Sequence, residues 1–422
     1  MGDRSGGAAG PFWRRHWPAL VAFSLFVAAG LLYSFLWWPV VHHVSAWTEP
    51  GDLFLTFRSA HQIAWGDIGD VYWKVAGGYQ TDLRSPPAIA VLLAPVAALT
   101  DHLGLIDPIP FYLPHPSSWP VLAPVDLVMT AWCLFPLNRL AATLGVGPRR
   151  RLLLSLLEAA FLLPMAVKWG HPEDAIAVGL AVYGLLLGWE GRWGPAGWLW
   201  GLAIAFQPLV ILILPVMVAV TPAGRRLALV VKAAVPSCVL VAVPMVQSWH
   251  NTVTDLVAQP TPPGVNHPTP LLPLAPVIAR GPVEVGGGVP RLLALAFAIG
   301  LGLWVWRRRP SRELTLWCCV LALSLRPVFD AVGISYYLWP TIALALVIAA
   351  TGPRWRLWAV VAVGATATAY AEASLSPWAW WLPICGAIGV MLALTWTPAA
   401  RPASRGAGGG ASAPGQDRAP VG

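Results

Sequence analysis

Charge is what this chain has least of. Of its 422 residues, 11% are Asp, Glu, Lys or Arg, against about 25% in soluble domains. The chain is 57% hydrophobic, with a mean hydropathy of +0.64. A water-soluble fold could not hide that much apolar surface, so the bilayer is the solvent for most of the chain. Lysine is nearly absent (Lys74, Lys168 and Lys232), and arginine carries the basic charge. Cysteine is sparse. Cys133, Cys238, Cys318, Cys319 and Cys385 all fall in apolar runs, without CxxC or His-paired spacing. They read as small apolar filler, not as a disulfide framework or metal site. There is no Walker motif, no Rossmann glycine pattern, no HExxH and no GxSxG. No internal repeat recurs, and no soluble domain remains once the apolar runs are removed. The formal net charge of +8 reads as positive-inside topology and not as nucleic-acid binding. No cofactor and no metal are expected.

What is present is a succession of membrane-length apolar runs separated by arginine clusters. The expected fold is all-α: a polytopic transmembrane bundle of about 10–12 membrane segments, some broken or re-entrant, with outward loops bearing short amphipathic helices. Residues 1–16 read as a cytoplasmic segment, 17–397 as the membrane domain, and 398–422 as a disordered cytoplasmic tail. Trp17 to Val41 is an uncleaved first span, because no small-residue cleavage site follows it. Arg4, Arg14 and Arg15 before it place the N-terminus inside. Arg149 to Arg151, Arg225-Arg226, Arg307 to Arg309, and Arg354 with Arg356 mark later returns to the same side. Two places strain this alternation. Pro86 to Thr100 is short and must dip in and return if Arg149 to Arg151 are to lie inside. Gln207-Pro208 divides an apolar run into two short pieces, which form either one kinked span or a broken hairpin.

Acidic residues are concentrated early. Glu49, Asp52, Asp67, Asp70 and Asp82 lie within the first outward loop, Thr48 to Pro95. Asp52 heads an amphipathic stretch suited to the membrane interface. It reads either as that helix's cap or as a chemical group. Asp67 and Asp70, in GDIGD, read as turn residues. Two further outward clusters follow. One holds Lys168, His171, Glu173 and Asp174; its acids also suit a helix N-terminus. The other holds Arg326, Asp330, Tyr336 and Tyr337, where the arginine can snorkel and the tyrosines can form an aromatic belt. Arg58 and His61 accompany Asp52 in the first cluster.

The order of these features resembles the GT-C superfamily of integral-membrane glycosyltransferases, in particular bacterial (actinobacterial) mannosyltransferases that use polyprenyl-phosphate sugars. The resemblance rests on Gly51-Asp52 after the first span and on VYWKVAGGYQTDLRSPPAIAVLLAP. It also rests on the turn Gly170-His171-Pro172-Glu173-Asp174 and on AGWLWGLAIAFQPLVILILP. It covers roughly residues 17–226. The chain has Ser85-Pro86-Pro87 where those proteins have Tyr-Pro-Pro, and Gln207 where they often have lysine. The resemblance implies transfer, with inversion, of a sugar such as mannose from a polyprenyl-phosphate donor to an extracytoplasmic lipid or glycan acceptor, at the cell membrane. It implies Asp52 as catalytic base. Donor-phosphate or substrate contacts would come from Arg84, Lys168, His171, Glu173, Asp174, Gln207, Arg326 and Tyr336. The rival expectation is a membrane transporter or lipid flippase, which the Gln207-Pro208 break would also suit.

Overall fold

The computed structural model describes residues 12–37, 50–72, 83, 85–105, 118–264, 266–280, 283–373 and 375–396. The expected tail, Glu49, Asp82, Arg84 and the tyrosine/glycine-rich stretch 73–82 lie outside the described residues.

The chain is an all-α bundle. Its helices are α1 (Phe12–Leu32), α2 (Gly51–Trp65), α3 (Ala88–His102), α4 (Trp119–Ala131) and α5 (Leu134–Thr143). Next come α6 (Pro148–Pro164), α7 (Pro172–Trp189), α8 (Trp193–Phe206), α9 (Leu214–Val220) and α10 (Arg226–Gln247). The last are α11 (Gly288–Arg308), α12 (Arg312–Phe329), α13 (Trp339–Ala349), α14 (Arg354–Ala371) and α15 (Pro377–Thr395). Six stretches among the described residues are long and apolar enough to cross a membrane, including Arg15–Trp37, Trp119–Thr143 and Ala223–Gln247. This is a multi-pass membrane protein.

Helix α13 is apolar all round, and every residue from Trp339 to Ala349 is buried. A helix with no polar face sits at the centre of a bundle. Helices α10, α11 and α15 instead turn large side chains outward, such as Val239, Phe297 and Leu382. In water such a rim would be an aggregation surface; in a bilayer it is the lipid contact.

The two ends of the bundle differ in charge. At one end, Arg151 donates to the Arg15 carbonyl, Arg150 to Ala349, Arg225 to Gly191 and Arg312 to Trp189. This is the arginine-rich end. The other end carries Asp52, His171, Glu173 and Asp330, and is described below.

Residues 193–220 form a hairpin, not one kinked span. Gln207 is extended (φ −146°, ψ 112°), as expected for the residue before a proline. Helix α8 climbs to this break. A 3₁₀ segment, Pro208–Ile213, and α9 then descend. The link between Arg225 and Gly191 shows both feet of the hairpin at the arginine-rich end.

Helix α2 lies alongside α3, and each, at 15 residues, is about 22 Å long, short of a roughly 30 Å hydrocarbon core. The apolar face of α2, expected to lie in the lipid interface, is instead inside the protein: Leu53, Phe57 and Ala60 are fully buried in a cluster with Tyr72, Ile89, Leu93 and Trp119. The segment from Ser248 to Gly288 also holds structure that hydropathy did not announce. Strand β1 (His267–Pro268) pairs with β4 (Val332–Gly333), and β2 (Val277–Arg280) pairs with β3 (Val283–Val285). The first pair ties this segment to the loop after α12.

Candidate active site

Asp52 is the second residue of α2. Pro50 occupies the cap position and supplies no side-chain cap, so Asp52 does not cap the helix. Its Oδ2 lies 2.7 Å from His171 Nε2. His171 Nδ1 lies 2.6 Å from Glu173 Oε1. The imidazole thus bridges two carboxylates, one from each of two chain segments. Asp52 is 40% exposed while His171 and Glu173 are 14% and 8% exposed, so the chain of three runs from the surface inward with Asp52 outermost. Burial by itself pushes the His171 imidazole down. The Glu173 and Asp52 carboxylates push it up and win, holding it well above the ordinary histidine value.

Local sequence explains the placement. A π turn, Met165–Trp169, ends at Gly170, whose left-handed backbone (φ 71°) reverses the chain. A side chain there would collide with Leu53 and Pro50, so glycine lets the turn seat against the start of α2. His171 then stands at the N-cap of α7 with its ring free of capping duty, and Glu173 and Asp174 occupy the first turn. Carboxylates there face the positive end of the helix dipole.

Other expected residues gather around this chain. Tyr336 stacks on His171 with ring centroids 4.1 Å apart. Gln207, freed by the break before Pro208, donates from Nε2 to Asp174 Oδ1 at 2.7 Å. Arg326 lies with its guanidinium carbon 3.5 Å from the centre of the Tyr337 ring. Its Nε donates to Asp330 Oδ2 at 3.2 Å. These residues come from α2, α7, the Gln207 break, α12 and the turn before α13, five separate stretches of chain.

Other residues singled out from the sequence make contacts of their own. Lys168 pairs with Glu372, lies over the Trp169 ring and is half-exposed. Burial raises the Glu372 carboxyl, but Lys168 and Ser335 outweigh it and hold the group below the ordinary range. His61 belongs to a clasp between the far ends of α2 and α3, where it and Trp65 both reach Asp101 Oδ2, at 3.2 and 2.8 Å. Arg58 lies over the Phe54 ring. Asp67 and Asp70 are turn residues, joined by a backbone bond from Asp70 N to Asp67 O. Arg84 lies outside the described residues.

The structure also adds residues that sequence reasoning passed over. Arg291, in the first turn of α11, donates from Nε to Asp330 Oδ1 at 3.1 Å and from Nη1 to Gln259 Oε1 at 2.6 Å. Arg291 and Arg326 therefore share one carboxylate. Together with Gln207, Gln259 and Asp330 they line the polar side of a cavity of about 220 Å³, whose other wall is Pro208, Leu212, Leu292 and Leu295. Arg326 Nη1 is buried with no hydrogen-bond partner among the described residues. A lone arginine at the head of an apolar span was the available signal for Arg291. Asp126 on α4 and Glu158 on α6 are also buried, and neither Glu158 oxygen has a hydrogen-bond partner among the described residues. Among the described residues no three His, Cys, Asp or Glu side chains are grouped to hold a metal ion.

The chain matches no protein-family model, and no curated protein matches it.

Proposed function

We propose that this protein is an inverting glycosyltransferase of the cell membrane. It would transfer a sugar, mannose in the simplest reading, from a polyprenyl phosphate to an acceptor hydroxyl on the side facing away from the cytoplasm. Both termini would be cytoplasmic, with the arginine-rich end inside. The observation that carries the reading is the Asp52–His171–Glu173 chain at the same end of the bundle as a cavity flanked by Arg291 and Arg326.

The chemistry follows from the layout. Asp52 takes the proton of the acceptor hydroxyl. The acceptor oxygen bonds to the anomeric carbon as the bond from that carbon to the phosphate oxygen breaks. The electron pair leaves on the phosphate, which needs no general acid. Arg326 and Arg291 both line the cavity, so two guanidinium groups face the departing anion. The apolar wall accepts the first part of the prenyl chain. His171 does not touch the reacting atoms; it orients Asp52.

Membranes containing the protein should transfer radiolabel from polyprenyl-phosphate-mannose, and Asp52→Asn should reduce transfer at least a hundredfold. Equal transfer by both removes Asp52 as base. The transporter reading draws on the Gln207 break and on the buried Asp126 and Glu158. It gains if no polyprenyl-phosphate sugar is a donor.

A further inference from the structure

The arginine-rich end holds a second cavity, remote from the site above. It is a groove of about 300 Å³ between α9 and α11, lined by Pro215, Val218, Ile299, Gly302, Leu303 and Trp306, with Arg226 at one end. A Cβ at Gly302 would lie 2.7 Å from the Pro215 carbonyl oxygen, so glycine lets the two backbones meet beside the groove. Ile299, Leu303 and Trp306 are each nearly half exposed, which opens the groove to the hydrocarbon.

Arg226 gives the groove a polar end. Its Nε donates to the Thr221 carbonyl at 3.0 Å, and its Nη2 reaches toward Ala219. The guanidinium carbon lies 5.7 Å from the Trp306 ring centre. Among the described residues the group is therefore anchored by carbonyls and an indole, not by a carboxylate. Arg225 likewise donates to a carbonyl, that of Gly191. The adjacent carboxylate, Glu190, is taken by Arg139 and Arg192. Arg307, Arg308 and Arg309 follow Trp306 directly and are exposed. An apolar slot, a tryptophan at headgroup depth and a cluster of guanidinium groups without carboxylate partners among the described residues together specify one kind of occupant.

We propose that this groove binds an anionic phospholipid of the leaflet at the arginine-rich end. One acyl chain would lie along Ile299, Gly302 and Leu303, and the phosphate would rest on Arg226 beside Trp306. The proposal is independent of the reaction assigned to the opposite end.

Native mass spectrometry of the purified full chain tests it, after delipidation and addition of equal phosphatidylglycerol and phosphatidylcholine. Wild type should retain phosphatidylglycerol about fivefold over phosphatidylcholine. Arg226→Gln should bring that ratio near one, while Arg354→Gln, an exposed arginine outside the groove, should leave it unchanged. Ile299→Trp fills the groove from its lipid-facing side and keeps every charge; it should lower retention of both lipids. Equal retention of the two lipids by wild type, or an unchanged ratio in Arg226→Gln, overturns the proposal. So does a loss of preference in Arg354→Gln as large as in Arg226→Gln, because generic surface charge would then explain it.

Discussion

His171 Nε2 meets Asp52 Oδ2 at 2.7 Å, across 119 positions of sequence. The Asp52 side chain, 40% exposed, could by itself adopt several rotamers. The imidazole selects one, and Glu173 holds the imidazole from behind. In the proposed reaction His171 is thus a positioning residue. His171→Gln should lower kcat about tenfold to a hundredfold with little change in donor KM, because the base remains but is no longer aimed. Asp52→Asn should cost more. Steady-state transfer assays on both variants check the order; a His171→Gln loss equal to that of Asp52→Asn would mean that His171 itself carries the proton.

The same pairing makes a pH signature. The folded His171 is held well above the ordinary value of about 6.5 by the two carboxylates. The folded state therefore binds this proton more tightly than the unfolded chain does. Its contribution to stability is fully present below pH about 6.5 and is lost as pH rises through the raised folded value. The Tm difference between wild type and His171→Gln should be largest near pH 6 and shrink steadily toward alkaline pH. A difference that grows with pH contradicts an imidazolium between Asp52 and Glu173.

The membrane character of this chain was legible from composition alone, and the arginine clusters do collect at one end of the bundle. The hairpin at Gln207-Pro208 was half legible: a proline forces the preceding residue out of helix, but whether the chain then continues or reverses depends on packing against α10 and α11. Which polar residues converge was less legible. Lys168 and His171 are three positions apart, yet the π turn and the left-handed Gly170 send them to different surroundings. Arg291 was passed over because hydropathy treats it as the edge of a span, and its role is visible only when the Ser248 to Gly288 segment and the loop after α12 fold onto it. Long-range pairing of that kind leaves no periodic trace in sequence.

Lys168 offers a contrast case. Its ion pair with Glu372 joins groups that are 51% and 34% exposed, so solvent screens most of the attraction. Lys168→Ala should cost no more than about 1 kcal/mol of stability and leave sugar transfer within twofold. A thermal melt and a transfer assay suffice. Abolished transfer would return Lys168 to the donor site.

Asp330 has the opposite character. It is 7% exposed and is the shared partner of Arg291 and Arg326. Removing it leaves two partly buried guanidinium groups facing one another, and breaking a buried pair costs about 3–5 kcal/mol. Asp330→Ala should therefore lower Tm strongly, whereas Arg291→Gln should leave the Arg326–Asp330 pair intact and chiefly raise the donor KM. If Arg291→Gln changes only stability, the cavity beside it does not receive the donor phosphate.

Gly170 links backbone geometry to the site most directly. Its φ of +71° disfavours any side chain, and a Cβ would stand 2.4 Å from Leu53 Cβ and 2.8 Å from Pro50 Cβ. Gly145 shares the left-handed backbone, with φ of +82°, but has nothing within 4 Å of a Cβ. Gly145→Ala should therefore cost only the backbone penalty, about 1–2 kcal/mol, with transfer preserved. Gly170→Ala adds the collision and must push the start of α2 away from the turn, opening the 2.7 Å contact between His171 and Asp52. A displacement of about 1 Å at a reacting group can cost a hundredfold in rate, so Gly170→Ala should retain a folded, membrane-inserted chain with transfer reduced at least tenfold. Equal melting temperatures and equal transfer in the two variants would show that the seating of Gly170 against Leu53 does not position Asp52.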